Sequence, residues 1–384
     1  MGTIKLKSSI KNDDYTSYVY EAFDIQNKEE TEVEVSFNLS DAKNFDWNIG
    51  VIYGSSGSGK TTILKRMGKL SESNFDYEKP LISNFDWLEP KEATLLLTSM
   101  GLSSVPTWLR PFHLLSNGEQ YRASLAYKVG KAKDNEVVLV DEYTSVVDRD
   151  VAKAMSFALQ KYIRKTNKRI ILASCHYDIM EWLMPDWTCS PQKNEGSLER
   201  GQWLRQGKPQ IKLQVSRVES DTWDFFKKHH YLTEKCNKGF GYLLFEWNNK
   251  PIGIVVYKNQ PSGTMKNAFG LSRTVVLPDY QGMEIGSKIS EFVAQIIKGD
   301  AVSRVFTKTI NPALGEYREK SILFRPTAQN RKKGRGNKTN AEKYNNQLSR
   351  PSYCHEYIGE GISGYEELLK PIKEMREAKS LTLF

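Results

Sequence analysis

The sequence predicts an α/β chain of two domains, and three observations carry that reading. A strand runs into a glycine-rich turn and then a helix over residues 48–69. Further strands and helices alternate up to about residue 205, which implies a largely parallel sheet. Beyond the linker-like segment 205–209 (RQGKP) the pattern changes to hairpins and a mixed sheet. The 384 residues suit domains at 1–205 and 206–384, each large enough to bury its own core.

In chain order, Val33, Val35, Phe37 and Leu39 alternate with polar residues, the pattern of a half-buried strand. Residues 48–53 form a second strand and 61–69 a helix. The stretch 121–129 is helical. Residues 137–140 and 170–174 read as buried strands, with a helix over 150–164 between them. In the second domain 211–218 is a strand and 221–229 a short amphipathic helix. Residues 242–247 and 252–257 make a hairpin across Asn248-Asn249-Lys250-Pro251. A strand at 272–277, a helix at 287–297 and a strand at 302–307 follow. The segment 325–350 reads as a long basic loop, 353–358 as a short strand, and 365–378 as a helix weakened by Pro371.

Composition excludes several classes. Hydrophobic residues are 39% and charged residues 26%, as in a folded globular chain rather than a disordered one. No apolar run approaches 18 residues, so no transmembrane helix and no membrane partner are expected. The polar, lysine-rich first 20 residues lack the apolar core of a secretory signal, and a cytoplasmic location is expected. Cys175, Cys189, Cys236 and Cys354 are scattered without a CxxC, which suits a reducing compartment and gives no zinc framework. The net charge of +9 permits a polyanionic partner. Eight basic residues (Arg325, Arg331, Lys332, Lys333, Arg335, Lys338, Lys343, Arg350) face one acid, Glu342, within 325–350.

Gly54-Ser55-Ser56-Gly57-Ser58-Gly59-Lys60-Thr61-Thr62 fits GxxxxGK[ST] between a strand and a helix. Its glycines, Gly54, Gly57 and Gly59, let backbone N–H groups close on phosphate, and the helix N-terminus adds positive potential. Lys60 is expected on the β and γ phosphates and Thr61 on Mg²⁺. The apolar strand 137–140 ends in Asp141, suited to hold Mg²⁺ through water, and Glu142, suited to polarise an attacking water. Together these residues predict ATP and Mg²⁺ as ligands and ATP hydrolysis as a reaction.

Leu115-Ser116-Asn117-Gly118-Glu119-Gln120 resembles the signature motif of ABC-type ATPases. Ser145-Val146-Val147-Asp148 stands where that family has its D-loop, and His176 where it has its switch histidine. The resemblance covers 50–180. It implies catalytic roles for Glu142, Asp148 and His176, and contacts from Ser116 and Gly118 to the γ-phosphate held by a second copy. A homodimer closed by ATP follows, because one chain carries one phosphate loop and one signature. The chain departs from the family in having only 55 residues between Lys60 and Ser116 and no glutamine between Thr61 and Glu119. Asp86 or Trp87 stands in the region of the missing Q-loop glutamine, and its absence argues against transport.

Val275-Val276-Leu277-Pro278-Asp279-Tyr280-Gln281-Gly282-Met283-Glu284-Ile285-Gly286-Ser287 resembles motif A of GNAT acyltransferases, a strand, a turn [QR]xxGx[GA] and a helix. The resemblance covers about 211–325. It implies acyl-CoA bound at Gln281, Gly282 and Gly286, acceptor-binding residues near His229-His230-Tyr231-Leu232, and Tyr317 as the acid that protonates the leaving thiolate. Glu284 replaces the first turn glycine and puts a carboxylate beside the pyrophosphate.

An ABC-type ATPase fused to a GNAT-like domain, with Pro-Thr-Trp-Leu-Arg-Pro at 106–111, resembles a family of bacteria and phages. Its second half is similar to Mom-type enzymes that modify adenine in phage DNA. The resemblance implies a DNA partner, with 325–350 on phosphates and Trp223, Tyr231 or Phe324 stacking on an extruded base. Two other readings stay open: a GNAT-like half that only binds nucleic acid or another ligand, and an ATP-gated acetyltransferase of an amine.

Overall fold

Ile4 and Leu6 alternate with charged residues, and so do Val33 and Val35, so two strands can share one apolar face. In a computed structural model they do. The structure describes residues 2–133, 136–193, 196–203, 209–230, 236, 240–260, 265, 267–299, 303–333, 351–370 and 379–382. It divides into two compact units, Met1–Lys208 and Pro209–Phe384.

The first unit opens with β1 (Gly2–Ser9), α1 (Asp14–Ala22) and β2 (Glu30–Phe37). β1 and β2 pair antiparallel with Ile4 opposite Val35 and Leu6 opposite Val33, while Lys5 and Lys7 ladder with Glu30, Glu32 and Glu34 on the other face. Then follow β3 (Ile49–Tyr53), α2 (Lys60–Met67), α3 (Pro90–Ser99), α4 (Val105–Trp108), α5 (Asn117–Lys131), β4 (Val137–Val140), α6 (Arg149–Thr166), β5 (Arg169–Ser174), α7 (Met180–Leu183), β6 (Trp187–Cys189) and β7 (Leu198–Arg200). The sheet runs β4-β5-β3-β6-β7, parallel except for β7. β3 is central and flanked on both faces, so Ile49, Val51 and Ile52 are wholly buried. The short insert between α2 and α5 is held by an aromatic cluster of Phe75, Phe85, Trp87, Phe112 and Tyr127. Trp87 also lies under Lys131, so it packs the insert rather than standing in for a Q-loop side chain.

The second unit contains β8 (Lys212–Val218), α8 (Trp223–Phe226), β9 (Gly241–Trp247), β10 (Lys250–Asn259), β11 (Ala268–Val276), α9 (Ile285–Lys298), β12 (Arg304–Thr309), α10 (Pro312–Lys320), β13 (Phe324–Pro326), β14 (Lys332–Lys333), β15 (Pro351–Tyr357) and β16 (Lys379–Thr382). Its sheet runs β13-β15-β12-β11-β10-β9-β8-β16, with β14 also on β15. The β9–β10 turn is tighter than the sequence suggests. Asn248 and Asn249 alone make it, both at positive φ, as a two-residue hairpin requires. β11 and β12 are parallel and pair only over 268–271 with 304–307, so the distal half of β11 leaves that neighbour.

Three expectations change here. The short helix at 221–229 shrinks to α8 between two 3-10 turns. Residues 366–369 close into a 3-10 turn ahead of Pro371, which disfavours helix at the residue before it, and 371–378 lie outside the described residues. Within the basic segment 324–326 and 332–333 are strands on β15, and 334–350 lie outside the described residues.

Candidate functional site

β3 delivers the chain to the glycine-rich loop, and α2 leaves it. Gly59 N-caps α2 at φ +92°, and a Cβ there would lie 2.5 Å from Val35 Cγ2, so only glycine lets the loop seat against β2. Gly57, at φ +77°, has open space where a Cβ would stand, a cradle free for a ligand. Ser55, Ser56 and Gly57 are exposed, while Thr61 and Thr62 follow half-buried in the first turn of α2. Lys60 Nζ folds back and donates to the carbonyls of Gly54 (3.0 Å) and Ser55 (2.6 Å). The hydroxyl of Ser58 is buried without a partner among the described residues. This backbone, with its lysine, fits a nucleotide's phosphates.

β4 ends beside this loop's strand layer with Asp141, whose Oδ1 accepts from the Glu142 amide at 2.9 Å. Glu142 itself turns out at φ +50° and is exposed. The chain then folds back. Tyr143 O accepts from Thr144 Oγ1 (2.6 Å) and Ser174 Oγ (2.9 Å), and Thr144 Oγ1 lies 3.0 Å from His176 Nδ1. Tyr121 OH accepts the Thr144 amide at 3.3 Å, tying α5 to the segment after β4. Burial, with the Glu142 and Asp141 carboxylates nearby, keeps the Tyr121 phenol protonated far above its usual range. Burial, then the Arg149 guanidinium, lowers His176 below its ordinary value against the opposing pull of Asp178. Sequence reasoning singled out Asp141, Glu142 and His176 and passed over Thr144 and Tyr121, which the hydrogen bonds tie to the same segment.

The signature segment builds the start of α5. Ser116 is its N-cap in a box with Glu119: the Ser116 amide and hydroxyl each donate to Glu119 Oε2 at 3.0 Å. Thr107, from the Pro-Thr-Trp-Leu-Arg-Pro segment, donates to the other Glu119 oxygen at 2.9 Å. Burial would raise the Glu119 carboxyl, but these bonds and Arg122 hold it below its usual range. Ser116 and Asn117 are exposed, and a Cβ at Gly118 would touch Val147 Cγ1 at 3.5 Å. Asp148 accepts the amides of Asp150 and Val151 (3.0 Å each) as the N-cap of α6, so its carboxylate sits on the helix rather than on Glu142 or His176.

In the second unit β11 runs through Pro278–Tyr280 into a turn. Gln281 Nε2 donates to Val276 O at 2.6 Å, Gly282 sits at φ +90° and Glu284 N-caps α9 at φ +63°. Gly286 lies against Val276. The 14-residue α9 points its N-terminal amides into this turn, an anion-binding arrangement.

Residues 177–319 match the acetyltransferase (GNAT) family. The matched span begins inside the first compact unit and ends in α10. No curated protein sequence matches the chain. Among solved structures, the first unit is similar to the ATP-binding cassette MJ0796 bound to ADP and Pi, at 15% identity and a TM-score of 0.31, over 46% of this chain and 92% of that one. The second is similar to the ribosomal-protein-S18-alanine N-acetyltransferase from Escherichia coli (12%, TM-score 0.30, 40% of this chain and 96% of that one). It is also similar to a GNAT family acetyltransferase from Elizabethkingia anophelis with acetyl-CoA bound (14%, TM-score 0.29, 38% and 97%).

In the turn into α9, inside the span that matches the GNAT family, the backbone suits a pyrophosphate and the Glu284 charge opposes it. Glu284 holds the left-handed conformation that glycine adopts freely and brings a carboxylate to the helix N-terminus. Tyr317 OH donates to Glu291 Oε1 at 2.6 Å, so its proton is committed inward. Burial and that carboxylate raise it far above a phenol's usual range, which corrects its expected role as a ready acid. Trp223 and Phe324 are buried in core contacts and cannot stack on an extruded base, and Tyr231 lies outside the described residues. His230 lies edge-on to Trp223, and burial lowers His229. Two of the eight basic residues are already paired: Arg325 with Glu356 (2.8 Å) and Arg331 with Glu319.

Proposed function

We propose that the first unit binds and hydrolyses ATP as a homodimer, and that this cycle governs the GNAT domain. The observation that carries the reading is the loop 54–62, with Lys60 drawn across its carbonyls and the positive-φ Gly57 leaving its cradle open. Thr61 and Asp141 would hold Mg²⁺, which supplies charge neutralisation at the phosphates. Glu142 is the residue to polarise water, being exposed at the end of β4 with its amide fixed by Asp141. His176, fixed through Thr144, is the residue to meet the terminal phosphate. The exposed Ser116 cap and Gly118 of one copy complete the site of the other, in keeping with the resemblance of 50–180 to ABC-type ATPases.

Glu142→Gln tests this. The variant should bind ATP, sediment as a dimer and turn over at least about a hundredfold more slowly, because proton removal from water is lost. A variant that hydrolyses normally, or stays monomeric in saturating ATP, overturns the reading.

For the GNAT domain we propose acyl-CoA at 281–286 and nucleic acid, DNA in particular, as the acceptor. The net charge of +9 and the basic run in 325–350 favour it over a cationic amine. Base modification of the Mom type is the finer form of this reading.

A further inference from the structure

We infer that Gln192 senses the terminal phosphate of the bound nucleotide, a role that rests on the nucleotide-binding reading of the loop 54–62. Gln192 stands in the turn after β6, far along the chain from the motifs that define the site. Its Oε1 accepts both the amide (3.2 Å) and the hydroxyl (3.1 Å) of Ser55. A backbone N–H can only donate, so the carboxamide must present its oxygen to Ser55 and its NH₂ away from it. That NH₂ has no partner among the described residues.

Ser55 is bonded from two sides. Its amide and hydroxyl go to Gln192, and its carbonyl takes Lys60 Nζ at 2.6 Å. In a loop of this kind the lysine serves the outer phosphates, while the amides nearer the helix cradle the inner ones. The Ser55 end is therefore the terminal-phosphate end, and the free NH₂ of Gln192 is anchored there. Gln192 Oε1 would also lie 3.2 Å from a Cβ at Gly54, so the side chain rests on the start of the loop. The chain has no glutamine between Thr61 and Glu119, and the carboxamide reaching this loop comes instead from the turn after β6. A neutral donor pair there adds charge-assisted hydrogen bonds to a triphosphate and none to a diphosphate.

The test is equilibrium binding of a non-hydrolysable ATP analogue and of ADP to the full chain and to Gln192→Ala and Gln192→Glu. The alanine variant should lose about tenfold in analogue affinity, the worth of one hydrogen bond to a charged group, and about twofold at most for ADP. Gln192→Glu keeps an acceptor for Ser55 but exchanges the donors for a charge, so it should lose more than alanine does, again selectively for the analogue. Equal losses for both nucleotides would make Gln192 a support of the loop's shape, and no loss for either would remove it from the site; both overturn the inference alone. A wild-type chain that binds neither nucleotide overturns the phosphate-loop reading itself.

Discussion

Thr144 decides which nitrogen of His176 carries hydrogen. Its hydroxyl proton goes to Tyr143 O at 2.6 Å, so at the 3.0 Å contact His176 Nδ1 must be the donor. Nε2 of the neutral ring is then an acceptor, and it can meet a phosphate oxygen only after taking up a proton. Burial and Arg149 hold the free ring below its ordinary value, so it is neutral before nucleotide arrives. If the loop holds ATP as proposed, binding should therefore absorb a proton and weaken as pH rises above the free ring's lowered value. Titration calorimetry in two buffers of different ionisation enthalpy measures this directly, and heats that do not depend on the buffer would refute it. His176 was legible from its place after a strand. Thr144 was not, because it reaches the ring through a left-handed turn at φ +68° that no spacing announces.

The turn into α9 shows how an element keeps its shape against its own sequence. Glu284 occupies φ +63°, a conformation costing a non-glycine residue about 1 kcal/mol, because the flanking β11 and α9 fix the path. Glu284→Gly should thus stabilise the chain by about that amount and strengthen CoA binding, since strain and a repelling charge leave together. Thermal unfolding and CoA titration check the two effects separately; a variant that melts lower would show that Glu284's side chain holds the turn. The motif, its strand and its helix were readable in the sequence. β1 and α1 were not: the apolar alternation of Ile4 and Leu6 is brief, and α1 buries none of its residues. Nor does residue type reveal that Trp223 lies beneath the sheet face rather than on a surface.

At the scale of the whole molecule, part of the basic charge around 325–333 is already paired within the chain. Arg304 and Arg325 converge on Glu356 and, despite its burial, hold its carboxyl at about 2; Arg331 and Asn330 do the same for Glu319. The basic run at 325–350 thus offers six unpaired cations at most, counting Lys332, which is exposed, Lys333 and four outside the described residues. Binding of DNA should weaken with salt, with a log–log slope no steeper than about −5 from this segment. Fluorescence anisotropy across a salt series gives the slope, and a flat series would take the segment out of nucleic-acid recognition. The α/β plan was legible because alternating strands and helices leave a long-range pattern. Which cations were paired was not, because Glu319 lies in α10 and Glu356 on β15, and only the fold brings them to Arg331 and Arg325.

The β1–β2 pair at the front of the chain has a practical corollary. β2 supplies the valine that seats under Gly59, and β1 covers β2's hydrogen-bonding edge along all eight pairs from Gly2–Phe37 to Ser9–Glu30. A version trimmed of its first nine residues would bare that edge, with Val33, Val35 and Phe37 ready to zip onto a neighbour's strand. Such a truncation would invite fibre-like clumping in the test tube, and fusion partners are better joined ahead of the intact strand than in place of it.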